Sequence, residues 1–270
     1  MAKAVARRTI LALALAGLTA SGLPSSGLAA TAESAPAASA TAPVTVKVGG
    51  YEFPPYVTES GGGVTQALLD LLNAEQSDFR FELVRTSPQR RYEDMERGRF
   101  DMIAFESLAW GWKGRPVEAS RVFLRDAEVF VAKVGPGMDQ SYFDRLDDKT
   151  ILGRLGYHYA FAGMTADPQI LEKRFNTRLT VTHEGNVRSV AAGRAALAIV
   201  TRSFLAQFLK ANPDMAPQLL VSDRTDQIYE HTILVRRDGP VGIDWVNGTL
   251  DRLERSGALP ALWARQGIAP

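Results

Sequence analysis

Apolar and polar residues alternate from Val44 to Gly49, which predicts a half-buried strand. It runs into Tyr51-Glu52-Phe53-Pro54-Pro55-Tyr56, where the paired prolines end any ladder. After Gly61-Gly62-Gly63, apolar residues at helical spacing (Val64, Ala67, Leu68, Leu71, Leu72) predict a helix from Val64 to Ala74. A strand from Phe79 to Val84 and a helix from Arg90 to Arg97 follow, with Pro88 in the first turn and Gly98 as the stop. Phe100 to Phe105 is a short apolar run suited to a buried parallel strand. The order β-α-β-α-β is that of an α/β layer.

The alternation then repeats. Asp126 to Val134 reads as a strand ending at Gly135-Pro136-Gly137. Strands at Thr150 to Leu155, Leu179 to Thr182 and Ala195 to Val200 are interleaved with helices at Pro168 to Phe175, Asn186 to Ala192 and Ser203 to Leu209. Gln218 to Val221 and His231 to Arg236 are two further strands, and helices at Ile243 to Arg255 and Leu259 to Arg265 close the chain around Gly257. Extended stretches near 125–135 and 218–236 join the two α/β segments, and two crossings fit two lobes on a shared hinge.

Ahead of this pattern, Lys3, Arg7 and Arg8 precede an apolar run from Thr9 to Ala20, about a dozen residues, right for a secretory signal and short for a membrane span. Residues 1–30 are therefore expected to be a cleaved signal peptide, cut near Ala29 or Ala30, with a second small-residue site ending at Ala40. The Arg7-Arg8 pair leaves the twin-arginine and general secretory routes both open. Residues 31–43, rich in Ala, Ser, Thr and Pro, are expected to be a disordered tether. Removing 1–30 changes the formal charge from +1 to about −2, and no basic stripe calls for a nucleic-acid partner. Cysteine is absent, so thiol nucleophiles, thiolate metal ligands and a lipidated cysteine are excluded. His158, His183 and His231 lie far apart without helical pairing, so neither a metal nor another cofactor is expected.

Four stretches, in order, resemble the family-3 bacterial extracellular solute-binding proteins: Phe53-Pro54-Pro55-Tyr56, the run Arg91 to Ile103 with its Gly98 turn, Gly193 to Val200, and the ending Asn247 to Leu250, Leu253 to Leu259 and Leu262-Trp263. The resemblance spans Val44 to Gly267. It implies an α/β, two-lobed type II periplasmic-binding fold, each lobe a mostly parallel mixed sheet flanked by helices, with solute held in the cleft. The expected lobes are 44–130 plus 225–270, and 131–224. In amino-acid-binding relatives an arginine after the third strand grips the ligand carboxylate, and an acidic residue ending the lobe-two strand holds its ammonium. Counting from Val117 to Ser120 puts Lys113 at the first position, and counting from Gly193 puts Thr201 at the second. Lysine lacks the two-pronged guanidinium fork, and Thr201 carries no counter-charge.

Candidate ligand-binding residues follow from strand ends and loops. Phe53 and Tyr56 flank rigid prolines and are candidates to stack on a ligand, with loop packing as the plainer role. Glu106, Trp110 and Trp112 lie just beyond the buried strand, where open sheets place ligands. Lys113 and Arg115 are candidate anion readers, while Arg90 and Arg91 read by default as a solvated helical face, with the alternative that one of them projects into the cleft. Tyr157 and His158 follow the first lobe-two strand, and Tyr229 and His231 read as hinge or rim residues. Thr201 completes the set.

The expectation is a monomeric, non-catalytic periplasmic receptor for an anionic or cyclic polar solute, handing it to an inner-membrane ABC permease. No nucleophile elbow, phosphate loop or metal motif occurs. Two other classes stand beside it. One is a cyclohexadienyl-dehydratase-like enzyme with Glu184 or Glu106 as its acid, and the other is a sensing accessory protein for a membrane partner.

Overall fold

The computed structural model describes residues 42–268. The expected signal peptide, and the tether up to residue 41, lie outside the described residues.

Three parallel strands, β2 (Phe79–Arg85), β1 (Val44–Gly50) and β3 (Met102–Glu106), stand in that order, and β3 pairs antiparallel with the far half of β9 (Leu219–Arg236). The second half repeats the plan. Strands β7 (Thr177–Thr180), β6 (Ile151–Arg154) and β8 (Leu197–Thr201) run parallel, and β8 pairs antiparallel with β5 (Leu124–Lys133). β5 and β9 pair with each other along their length, from Leu124 opposite His231 to Lys133 opposite Leu219. This two-stranded ribbon is the double crossing between the lobes.

Helices cover the sheets because their apolar stripes need a partner. In lobe 1, α1 (Val64–Ala74) buries Leu68, Leu69 and Leu72, and α6 (Ile243–Arg255) buries Val246, Leu250 and Leu253. α7 (Ala258–Gln266) follows the left-handed Gly257. In lobe 2, α4 (His183–Ala191) and α5 (Arg202–Ala211) pack Val187, Val190 and Leu205 against Val129, Val131 and Val200. Gly63 enters α1 at φ 104°, and a Cβ there would stand 2.6 Å from the Pro55 carbonyl oxygen, so only glycine fits this close return of chain.

Three segments differ from the pattern reading. Gln218 to Val221 and His231 to Arg236 are ends of one 18-residue strand, β9. In its middle, Asp223 to Ile228, Thr225 and Ile228 stand opposite β5 residues while Asp223, Arg224, Asp226 and Gln227 fall in two irregularities of the ladder, which interrupts the apolar alternation. A short strand, β4 (Val117–Ala119), adds to the edge of β9. Helix α4 begins at His183, not Asn186, since Thr182 caps it by accepting from the Gly185 N–H at 3.1 Å.

Candidate functional site

Strand β1 delivers the first wall. Beyond Gly50 the chain turns through Tyr51 to Tyr56, and Phe53 becomes the centre of an aromatic group. Its ring lies 4.9 Å from Tyr56, 5.5 Å from Tyr157, 5.9 Å from Tyr51, Tyr229 and His231, and 6.0 Å from Trp110. Edge-to-face pairs dominate, as ring quadrupoles prefer.

Helix α2 (Arg91–Glu96) supplies the charge. Arg91 shares a face with Met95 at i+4 and is 1% exposed, its guanidinium stacked 4.9 Å from Tyr51 and 4.4 Å from Tyr92. Arg91 Nε stands 3.0 Å from Glu106 Oε1, yet the N–H is not directed at that oxygen. The pair is held by charge more than by a directional bond. Trp112 donates to the other Glu106 oxygen at 2.8 Å, and burial still pushes the Glu106 carboxyl up, against the pull of Arg91 and Trp112. Phe105, just before it, takes φ 60°, a left-handed conformation rare for phenylalanine, at an irregularity in the β3–β9 pairing between Ile103 and Glu106.

The opposite wall follows β6. Arg154 is buried, paired with Glu52 across the cleft at 3.2 Å and donating to the Tyr157 hydroxyl at 3.4 Å. Gly156, Tyr157 and His158 then face Tyr51, Phe53, Arg91, Trp110 and Tyr229 around a small cavity of about 10 Å³, room for roughly one water. Burial, then the nearby Arg91, lowers His158 to about 4, so it is neutral at pH 7. Further bridges hold the walls. Tyr56 donates to Asp126 at 2.7 Å, Ser203 donates to the same oxygen at 2.5 Å, and the Gln207 amide donates to the Gln266 carbonyl at 2.8 Å. The larger apolar cluster runs unbroken from Phe53 and Trp110 through Tyr157 to Ile151 and Leu171.

Gly156 sets how near the walls come. At φ 83° its added Cβ would stand 2.6 Å from the Pro88 Cβ of the facing lobe. Gly156→Ala is expected to cost about 1–2 kcal/mol in backbone strain and to hold the walls apart. Small-angle scattering should then give a larger radius of gyration than the parent chain; an unchanged radius counts against this.

Of the residues named from sequence, Phe53, Trp110, Tyr157 and His158 line the cavity. Tyr56 lies one layer beneath, stacked 4.5 Å from Phe105, and Glu106 lies behind Arg91. Thr201 is fully buried, 3.4 Å from His183 Nε2. Lys113 and Arg115 lie elsewhere, on a surface groove with Leu108, Pro116 and Arg237, where Arg115 pairs with Glu96. Trp112 is 1% exposed and belongs to the core. Glu184 sits in the first turn of α4, half exposed, paired with Arg188 at 2.8 Å. Tyr51, Arg91, Gly156 and Tyr229 line the cavity without having been named as ligand residues. For Arg91 the helical spacing to buried Met95 was the available signal. Among the described residues, no group of three or more His, Cys, Asp or Glu is placed to hold a metal.

No protein-family model matches the chain, and no curated protein matches it in sequence. Solved structures do. A proposed binding component of an ABC transporter from Wolinella succinogenes, complexed with lysine, superposes with a TM-score of 0.65 at 18% identity, over 82% of this chain and 94% of that one. The GluR0 ligand-binding core in complex with L-glutamate gives 0.64 at 15% identity, over 84% and 99%. The BvgS VFT2 domain from Bordetella pertussis, in a double-mutant form, gives 0.60 at 20% identity, over 82% and 93%. With two like-ordered half-sheets joined by a two-stranded ribbon, the chain has the two-lobed type II periplasmic-binding fold.

Proposed function

We propose that this protein is an exported, periplasmic solute-binding protein that captures a small polar solute, cyclic or anionic, between its lobes and passes it to an ABC-type transporter. The lobes are taken as 44–130 with 225–270, and 131–224. One observation carries the reading: a cavity between the two α/β halves, walled by six aromatic rings including the His158 imidazole, in which Arg91 is the charged lining side chain. Aromatic faces favour a flat or cyclic body, and a guanidinium with donors beyond those it gives to Pro88 and Trp110 favours an anionic group. Proteins of similar fold bind lysine and glutamate. Here the lysine expected to read a carboxylate, Lys113, faces another groove, so Arg91 takes that role in the proposal.

Two lobes closing on a solute bury it more completely than either surface alone. Native mass spectrometry of the freshly purified protein should find one small molecule per chain. A metabolite screen should raise the melting temperature by mass action, with cyclic carboxylates among the strongest hits. A broad screen without any upshift, together with no retained mass, overturns the reading.

A further inference from the structure

Glu128 sits on β5 where the ribbon loses its regular pairing. Ala127 stands opposite Ile228 and Val129 opposite Thr225, so Asp226 and Gln227 bulge from β9 against Glu128. The Glu128 carboxyl is fully buried. One oxygen accepts from the Gln227 amide at 2.8 Å, and the other has no hydrogen-bond partner. Gln227 is a fork between the walls. The same amide nitrogen donates to the His158 main-chain oxygen in lobe 2, and its carbonyl accepts from the Trp110 indole of lobe 1 at 3.1 Å. Both walls thus rest on Gln227, and Gln227 rests on Glu128.

The groups facing Glu128 do not neutralise it. From β9 come Asp226 and Tyr229, and from its own strand Asp126. Tyr157 and Tyr159 approach from the loop after β6, and Thr201 stands opposite in β8. Asp226 is itself tied to the N–H groups of Ala160 and Phe161 at 2.7 and 2.8 Å. The cations of the cleft, Arg91 and Arg154, are paired with Glu106 and Glu52.

We infer that closing the cleft takes up a proton at the Glu128 carboxyl, so that closure responds to pH. This rests on the reading above only in taking the lobes to open and close. With the walls together, burial pushes Glu128 up to about 8, Asp226 and Asp126 adding to it while Tyr229 and Gln227 oppose. Moving the walls apart breaks the bond from Gln227 to the His158 main-chain oxygen and lets water reach the cleft floor, where a carboxyl returns toward about 4.3. Between these values the closed form holds the extra proton. Closure therefore strengthens as pH falls from about 8, by at most about tenfold per unit. His158, in the cavity wall, works the other way. It is lowered to about 4 in the closed form and regains its ordinary value near 6.5 when hydrated, so below that closing expels a proton. His231, packed against Tyr56 and Phe105, and His183, packed against Phe204, are each buried within one lobe. The two cleft groups leave a rise in closure from pH 9 to about 6.5 and a plateau below it.

The absence of cysteine makes the test direct. Spin labels at E75C and K173C, both exposed, report the interlobe distance by pulsed electron resonance without any solute. The closed-to-open ratio is expected to grow by up to about eightfold between pH 8 and 6.5, Glu128 alone giving about sixteenfold and His158 taking back about half. E128Q keeps the shape and removes the charge. It should stay closed and nearly flat from pH 9 to 6.5, then lose closure below as His158 acts alone. A flat parent profile from 9 to 6.5, or an E128Q profile that tracks the parent, overturns the inference. Neither outcome touches the solute screen, so the two readings fail separately.

Discussion

Arg91→Met is expected to lower stability by about 3–5 kcal/mol at pH 7, among the largest single effects in this protein. Glu106 is fully buried, and Arg91 is its counter-charge. Removing the guanidinium leaves the Trp112 indole N–H as the hydrogen-bonded support of a carboxylate in an apolar wall. The stacking of Arg91 on Tyr51 and Tyr92 goes with it. The pH dependence has a definite sign. The folded-state Glu106 carboxyl is already raised by burial, and losing Arg91 raises it further. A group raised on folding contributes stability that is present below its unfolded value and lost as pH rises through the folded one. The deficit of Arg91→Met should therefore shrink as pH falls below neutral. Adding Glu106→Gln should recover most of it at pH 7, because the buried charge is gone. Urea midpoints for both variants at pH 7 and 5 measure this. A deficit under about 1 kcal/mol that does not change with pH would sink the pairing argument.

Phe53→Ala should cost about 3–5 kcal/mol, since the ring is 3% exposed and its loss leaves a hole that surrounding aromatics fill only in part. Six rings lie within 6.0 Å of it, drawn from the segment after β1, the β3 loop, the β6 loop and β9. In a domain near this size that is roughly 6–20 °C in melting temperature. Phe53→Leu, which keeps most of the volume, should lose less than half as much. Because Phe53 also faces the cavity, both variants should weaken any solute found in the screen beyond what their stability explains. Equal losses for alanine and leucine would show that the ring is not packed as described.

The hinge ties these effects together. Glu128, Asp126 and Asp226 all lie on the β5–β9 ribbon, and each is bonded to a group carried by a lobe or by the ribbon's other strand. Arg91, Phe53 and Trp110 form the wall of lobe 1, and Tyr157 and His158 that of lobe 2.

Much of the fold was legible in the residue pattern. The helix spacing of Val64 to Leu72, the apolar run at Phe100 to Phe105 and the two α/β alternations required only local periodicity, which follows from where side chains point on helices and strands. Phe53, Trp110, Tyr157 and His158 were identifiable as wall residues because strand ends and the loops after them face a cleft in such folds. Local pattern failed where long-range contacts set the outcome. The polar middle of β9 does not read as a strand, yet regular pairing with β5 on either side of its two irregularities holds it extended. The pattern leaves open whether Arg91 is solvated or projects into the cleft, and only Glu106, 15 positions on, meeting it behind Tyr51, decides it. Lys113 occupies the expected place in the count, but its loop directs it to another groove. Glu128 looks like one more polar residue on a strand, and only the bulge at Asp226-Gln227 buries it between acids. Sequence alone determined the elements and their order, because periodicity is local. Tertiary structure alone decided which charges meet and which are stranded, because a charge's state depends on the partners and water that distant segments bring to it or exclude.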